Sequence, residues 1–97
     1  MRFEWDPEKN EANRRKHGFD FDDASGLFSA PVLVDLDDRE DYGEDRWVGI
    51  GLVRNVVVVV AFTIRAENTI RIISMRKARN HERAKYEQAL RKRLGSN

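Results

Sequence analysis

Residues 56–62 read Val-Val-Val-Val-Val-Ala-Phe, an unbroken apolar run dominated by β-branched side chains. Branching at Cβ stiffens χ1 and favours extended backbone, and an apolar run that does not alternate belongs to a strand covered on both faces. The run therefore requires a strand on each side and a packing layer above and below. The flanking sequence supplies the strands. Arg46–Val53 alternates, with Val48, Ile50 and Leu52 on one face and Gly49 and Gly51 opposite, where another group can approach the backbone closely. Arg54-Asn55 is a two-residue turn, and Ala66–Asn68 turns the chain into a strand over Thr69–Arg76. Three strands joined by short turns make an antiparallel meander, and residues 32–37 add a fourth. In the last strand, strict alternation puts Ile70, Ile72, Ser74 and Arg76 on one face and Arg71, Ile73 and Met75 on the other. A cation closing an otherwise apolar row needs a partner.

The N-terminal part reads as a short edge strand, Phe3-Glu4-Trp5, followed by two helices. Asp6 caps and Pro7 opens a helix that ends at His17, where Gly18 suits a left-handed cap. Ala12 is its only apolar residue, so it is either solvated or used for binding. Lys9, Asn13, Lys16 and His17 share one side: either a solvated face or a row that contacts anions, with the His17 imidazole able to exchange protons. Asp20 begins a second helix whose Phe21, Ala24, Leu27 and Phe28 are core residues. Beyond the meander a third helix, N-capped by Asn80 and reaching Leu94, gathers Arg79, Glu82, Arg83, Tyr86 and Leu90 on one side, with a frayed end over 95–97. These elements predict a single α+β domain over residues 1–97. Two N-terminal helices pack on a twisted antiparallel four-stranded sheet, with a short N-terminal strand and a C-terminal helix.

The net charge of +1 hides a division: residues 1–45 hold six Lys/Arg against fourteen Asp/Glu, and residues 46–97 hold twelve against three. A basic second half suits nucleic acid or an acidic partner, or else folds back on the acidic half. The absence of cysteine fits a reducing compartment, and neither a 20-residue apolar run nor a signal-peptide core is present. The expectation is a cytoplasmic protein with no membrane partner. The acidic stretch 37–45 lacks calcium-loop spacing and reads as a solvated loop; no metal site and no cofactor are predicted. Phosphate-binding glycine loops and nucleophile elbows are missing. What remains is chemistry that Arg, Lys, His, Glu and Tyr perform by themselves. RNA cleavage is such a reaction, because the ribose 2′-hydroxyl is an internal nucleophile and arginine forks neutralise the phosphorane. These residues alone leave an enzyme and a nucleic-acid-binding module both open.

An ordered set of fragments carries a resemblance: Phe3-Glu4-Trp5-Asp6, Lys9, Asn13, Lys16-His17-Gly18, Gly43-Glu44-Asp45-Arg46, Ile50-Gly51, Arg71 through Ala78, Glu82-Arg83 and Tyr86. Together they resemble the BrnT toxins of type II toxin-antitoxin systems over nearly the whole chain, apart from Met75 where alanine is usual and Phe19-Asp20 in place of valine-serine. The resemblance implies a RelE-like fold and a ribonuclease that inhibits translation. It also implies neutralisation in a hetero-oligomer by a BrnA-like antitoxin, through which alone DNA is contacted. It makes Lys16 and His17 candidates for proton transfer or phosphate contact, and Arg65, Arg71 and Arg76 candidates for phosphorane stabilisation. Glu82 and Tyr86 would orient an arginine or move a proton, while Lys9, Asn13, Arg71 and Arg79 would contact RNA phosphates. Competing assignments pair Glu82 with Arg79 or Arg83 and bury Tyr86 in the core; His81 is expected on the surface. The competing function is a non-catalytic RNA- or partner-binding module serving as antitoxin scaffold and co-repressor. The nuclease reading further requires the Lys16-His17 helix end to lie near Arg76.

Overall fold

The computed structural model describes residues 1–95. In chain order it contains β1 (Arg2–Glu4), α1 (Pro7–His17), a 3-10 turn (Phe21–Asp23), α2 (Ala24–Phe28), β2 (Leu33–Asp37), β3 (Arg46–Val53), β4 (Val56–Arg65), β5 (Thr69–Lys77) and α3 (Asn80–Gly95). The strands form one sheet in the order β1-β5-β4-β3-β2, so the N-terminal strand is its fifth member, paired parallel to β5, and all other pairs are antiparallel. Gly95 closes α3, and the rest of the predicted frayed end lies outside the described residues.

The valine run is the middle strand, and both its faces are covered. Val58, Val60 and Phe62 pack with Phe21, Leu27, Ile72 and Met75 in the larger core under the N-terminal elements. Val57 and Val59 pack with Ile50 and Tyr86 beneath α3. The two glycines of β3 mark close approaches. A Cβ on Gly51 would sit 2.9 Å from the Leu27 side chain, and one on Gly49 3.1 Å from Val32 and 3.2 Å from Val60. Arg54 and Asn55 both have positive φ, 47° and 67°, the paired left-handed conformation of a tight hairpin whose twist matches the strands.

Strict alternation along β5 does not hold. Ala61 faces Ser74 but Phe62 faces Ile72, so Ile73 is an extra residue, a β-bulge. One unpaired residue reverses the side on which all later side chains emerge. Ile70, Ile72 and Met75 therefore share the larger core. Arg71, Ser74 and Arg76 emerge together on the opposite face, where local periodicity had separated Arg71 from Arg76 and placed Arg76 with Ile72.

The polar helix α1 docks without an apolar face. Asn13, its one buried residue, donates from Nδ2 to the carbonyls of Met75 (2.9 Å) and Phe19 (3.1 Å) and accepts at Oδ1 from Met75 N–H (3.1 Å). Beyond the end of β1, its amide takes the position a neighbouring strand would have. Asn10 likewise accepts from Phe21 N–H and donates to Asp20. The expectation that Asn13 contacts RNA is thus corrected: the side chain is out of solvent and its amide is spent on backbone. Asn13→Ala should leave three buried backbone groups unpartnered and lower stability by about 2–3 kcal/mol, read as a fall in the urea midpoint at constant slope; a loss under about 0.5 kcal/mol would contradict this role.

Candidate active site

α3 covers only one end of its sheet face. Beside it lies an open cleft of about 450 Å³ whose floor is formed by Val48, Ile50, Val59, Ala61 and Ser74. One wall carries Arg76, Arg79, His81, Glu82 and Lys85; the other carries Asp35, Asp37, Asp38 and Arg39. Small residues at 61 and 74 keep the floor low, and the bulge delivers Arg76 to it.

Arg76 is held by Glu82 through two parallel charge-assisted hydrogen bonds, Nη1–H to Oε1 and Nη2–H to Oε2, each 2.8 Å. Glu82 Oε1 also accepts from the backbone N–H of Arg79 at 2.8 Å, and the Arg79 carbonyl accepts from Arg83 N–H at 2.9 Å. Arg79, not Asn80, is therefore the N-cap of α3, and Glu82 is the third helical residue reaching back to it, half of a capping box. One carboxylate thus fixes both the start of the helix and the pose of the arginine. The Arg76 guanidinium beside it, aided by the Arg79 N–H, holds the Glu82 carboxyl down at about 2 against partial burial, and Glu82 holds the Arg76 pKa above its ordinary value. Arg76 Nη1 also donates to the Lys77 carbonyl at 3.3 Å, while its Nε–H and one Nη2–H have no partner among the described residues. Those two donors form a fork suited to phosphate oxygens.

On the opposite wall the buried Asp37 carboxylate accepts from Arg39 Nε and Nη2 at 2.8 and 2.9 Å, and the Arg39 contacts hold its pKa below the ordinary range. The Arg39 charge opposes that of Arg76. Lys85 reaches Asp35 at 3.1 Å, an ion pair joining α3 to β2. The cleft therefore has a cationic wall at β5 and α3 and a mixed wall at β2 and its loop.

The structure divides the sequence-predicted site residues. Arg76, Arg79 and Glu82 come together, joined by His81, Arg39, Lys85 and Ser74, none of which was assigned to the site. His81, expected on the surface, is exposed and lines the cleft. Its signal was its position one residue before Glu82 in the first turn of α3, at the junction with β5. Tyr86 is core: it is 3% exposed, its hydroxyl donates to the Pro31 carbonyl at 2.9 Å, and burial pushes its phenol pKa up. Arg71 pairs with Glu4 at 2.9 Å, about 13 Å from the Arg76 row, four residues along β4 at about 3.3 Å each. Arg65 lies opposite Thr69, about 20 Å along the sheet by the same measure, with Glu44 3.8 Å away. Lys9, Lys16 and His17 are exposed on α1 and do not line the cleft. Asn13 nonetheless pins that helix to Met75, the residue before Arg76, so Lys16 and His17 occupy the turn just past this attachment.

A family model described as "Ribonuclease toxin, BrnT, of type II toxin-antitoxin system" matches residues 5–82. Among solved structures, the chain is similar to the 1.1 Å crystal structure of the Brucella abortus ribonuclease toxin BrnT, with 28% identity and a TM-score of 0.62 over 82% of this chain and 99% of that one. No curated protein matches.

The depressed Glu82 carboxyl has a consequence for stability. A carboxyl at about 2 in the folded state and 4.5 unfolded stabilises the fold fully above pH 4.5, and this contribution is lost as the pH falls through about 2. Glu82→Gln should therefore cost about 2 kcal/mol in urea unfolding at pH 7, and the gap to wild type should shrink steadily between pH 4.5 and 2. A gap independent of pH would contradict the ion pair as its source.

Proposed function

Because the chain belongs to the family of BrnT ribonuclease toxins of type II toxin-antitoxin systems, we propose that the Arg76 cleft cleaves RNA by attack of a ribose 2′-hydroxyl on the adjacent phosphate, with no metal required. One observation carries this reading: Arg76, posed by Glu82, keeps a pair of N–H donors with no partner among the described residues, in a cleft that also holds Arg79, His81 and Lys85. In the reaction the 2′-oxygen forms a bond to phosphorus and the bond to the 5′-oxygen breaks, leaving a 2′,3′-cyclic phosphate and a 5′-hydroxyl. The 2′-hydroxyl must lose a proton and the 5′-oxygen must gain one. His81 is the imidazole lining the cleft and suits proton transfer. Arg76 neutralises the phosphorane charge with a fork that is already oriented, and Arg79 and Lys85 hold flanking phosphate. Glu82 is a positioning residue that acts through Arg76.

A BrnA-like antitoxin would neutralise the toxin in a hetero-oligomer in the cytoplasm and would be the component that contacts DNA. The reading as a non-catalytic module has one observation in its favour: the Arg76–Glu82 pair also fastens α3 to β5, so Arg76 has a structural use without any reaction. Incubation of RNA with the purified protein in excess EDTA separates the two. Cleavage leaving 2′,3′-cyclic phosphate ends is expected, and Arg76→Ala should lower the rate at least about 100-fold while retaining a cooperative melt. Intact RNA in the presence of protein that still arrests growth would favour the binding module, and full activity of a folded Arg76→Ala variant would remove Arg76 from the chemistry.

A further inference from the structure

Four residues along β4 from the Arg76 row, one register row crosses all five strands on the cleft face. In order it is Glu4, Arg71, Thr63, Arg46 and Asp37, with Thr63 opposite Arg71, Glu4 beside Arg71, Asp37 opposite Arg46, and Arg46 next to the Trp47–Phe62 pair and hence across from Thr63. The carboxylates sit on the two edge strands and the two arginines flank the middle strand.

The pairing within this row is uneven. Arg71 gives Nη1 to Glu4, and the rest of its fork has no partner among the described residues. Asp37 does not serve Arg46, because its carboxylate is taken by Arg39 and Tyr42. Arg46 instead lies against the Tyr42 ring, its guanidinium carbon 4.0 Å from the ring centroid, which fixes the plane of the cation without neutralising it. Two polar atoms of this row are buried without a partner among the described residues: Arg46 Nε and the Oγ1 of Thr63, a residue 1% exposed. A buried unsatisfied donor typically costs about 1–3 kcal/mol, and here one belongs to a cation with no carboxylate partner among the described residues and the other stands on the neighbouring strand in the same register row. An anionic oxygen entering between Arg46 and Arg71 meets all three deficits: it accepts from Nε–H and from the threonine hydroxyl, and it balances the charge. The two arginine Cα atoms stand two strand spacings apart, about 10 Å, a gap that two long side chains close from either side.

Resting on the reading of the Arg76 cleft as an RNA-cleaving site, we propose that Arg46 and Arg71, with the Thr63 hydroxyl between them, form a second phosphate subsite that holds the RNA strand away from the bond being cut. The row lies about 13 Å from that of Arg76, and between them Ala61 and Ser74 keep the sheet surface low. A short stretch of single-stranded backbone spans this separation, with one end on each cation group. RNA thereby runs along the strands across the open half of the sheet, not over α3.

Binding of 2′-O-methyl oligoribonucleotides, which lack the nucleophile, tests the subsite independently of cleavage. For an octamer, Arg46→Gln and Thr63→Val should each weaken affinity, the first about tenfold, and Arg46→Gln should reduce the slope of log K against log salt by about 0.7, the loss of one phosphate contact on single-stranded RNA. Thermal melting of each variant checks the fold. A dinucleotide, too short to reach both cation groups, is the length control: an equal loss on dinucleotide and octamer would place the defect in the Arg76 cleft and overturn the subsite, as would an unchanged salt slope for well-folded Arg46→Gln. If the wild type cleaves no RNA yet the octamer shows this loss, the reaction reading fails and the phosphate subsite stands.

Discussion

Ile73 has no partner on β4, and that single unpaired residue decides what the cleft face of the sheet can do. Before it, β5 sends Ile70 and Ile72 into the larger core; after it, Met75 continues that core while Ser74 and Arg76 turn to the other side. Without the shift, Arg76 would point its guanidinium among phenylalanines, where an unpaired charge is prohibitively costly. With it, the cation emerges within reach of Glu82 and over a floor of small residues. The bulge sits next to the point where Asn13 takes both backbone groups of Met75. The altered strand edge and the docking of α1 therefore support one another.

Glu82 links the chemistry of this face to its architecture. Its two oxygens accept from both terminal nitrogens of Arg76 and from the N–H that opens α3, so the helix cannot shift without moving the arginine. At the far side of the same helix Tyr86 anchors it through the Pro31 carbonyl and a small apolar cluster. α3 is thus held by Glu82 at its start and Tyr86 further along, with the Lys85–Asp35 ion pair between them, an arrangement that leaves half of the sheet face open. The open half then carries the arginines of β3 and β5: Arg71 is balanced by Glu4 on the edge strand, Arg76 by Glu82, and Arg46 lies against the Tyr42 ring.

Much of the fold was legible because its signals are local. The valine run, the alternation in β3, the Arg54-Asn55 turn, the Asp6-Pro7 opening and the Gly18 end of α1 act through neighbours in sequence, and all appear where read. The glycines of β3 marked close approach, and Leu27 and Val32 are what approach. Of the candidate site, the Arg76 to Glu82 segment was legible since a strand and the first turn of a following helix meet at their junction. His81, expected on the surface, is exposed in that same turn and lines the cleft wall. Asn13 and Tyr86 were misjudged because residue type alone does not distinguish a polar group facing solvent from one spent inside. The readable clue for Asn13 was its pairing with Asn10, one turn apart on a helix with almost no apolar side chain to dock by.

By itself the sequence determined the element order, the middle strand and the turn chemistry, because hydrophobic period, capping and left-handed turn residues are properties of short segments. It also determined that arginines and a glutamate stand at the junction of β5 and α3. The tertiary structure alone decided that β5 carries a bulge, that Arg71 and Arg76 share a face, that Arg65 lies about 20 Å from Arg76, and that α1 is pinned by an asparagine in place of a strand. Register and facing are set by which residue on one strand meets which on the next. That pairing is settled by the competition of whole strands for core contacts, which no local pattern in a single strand records.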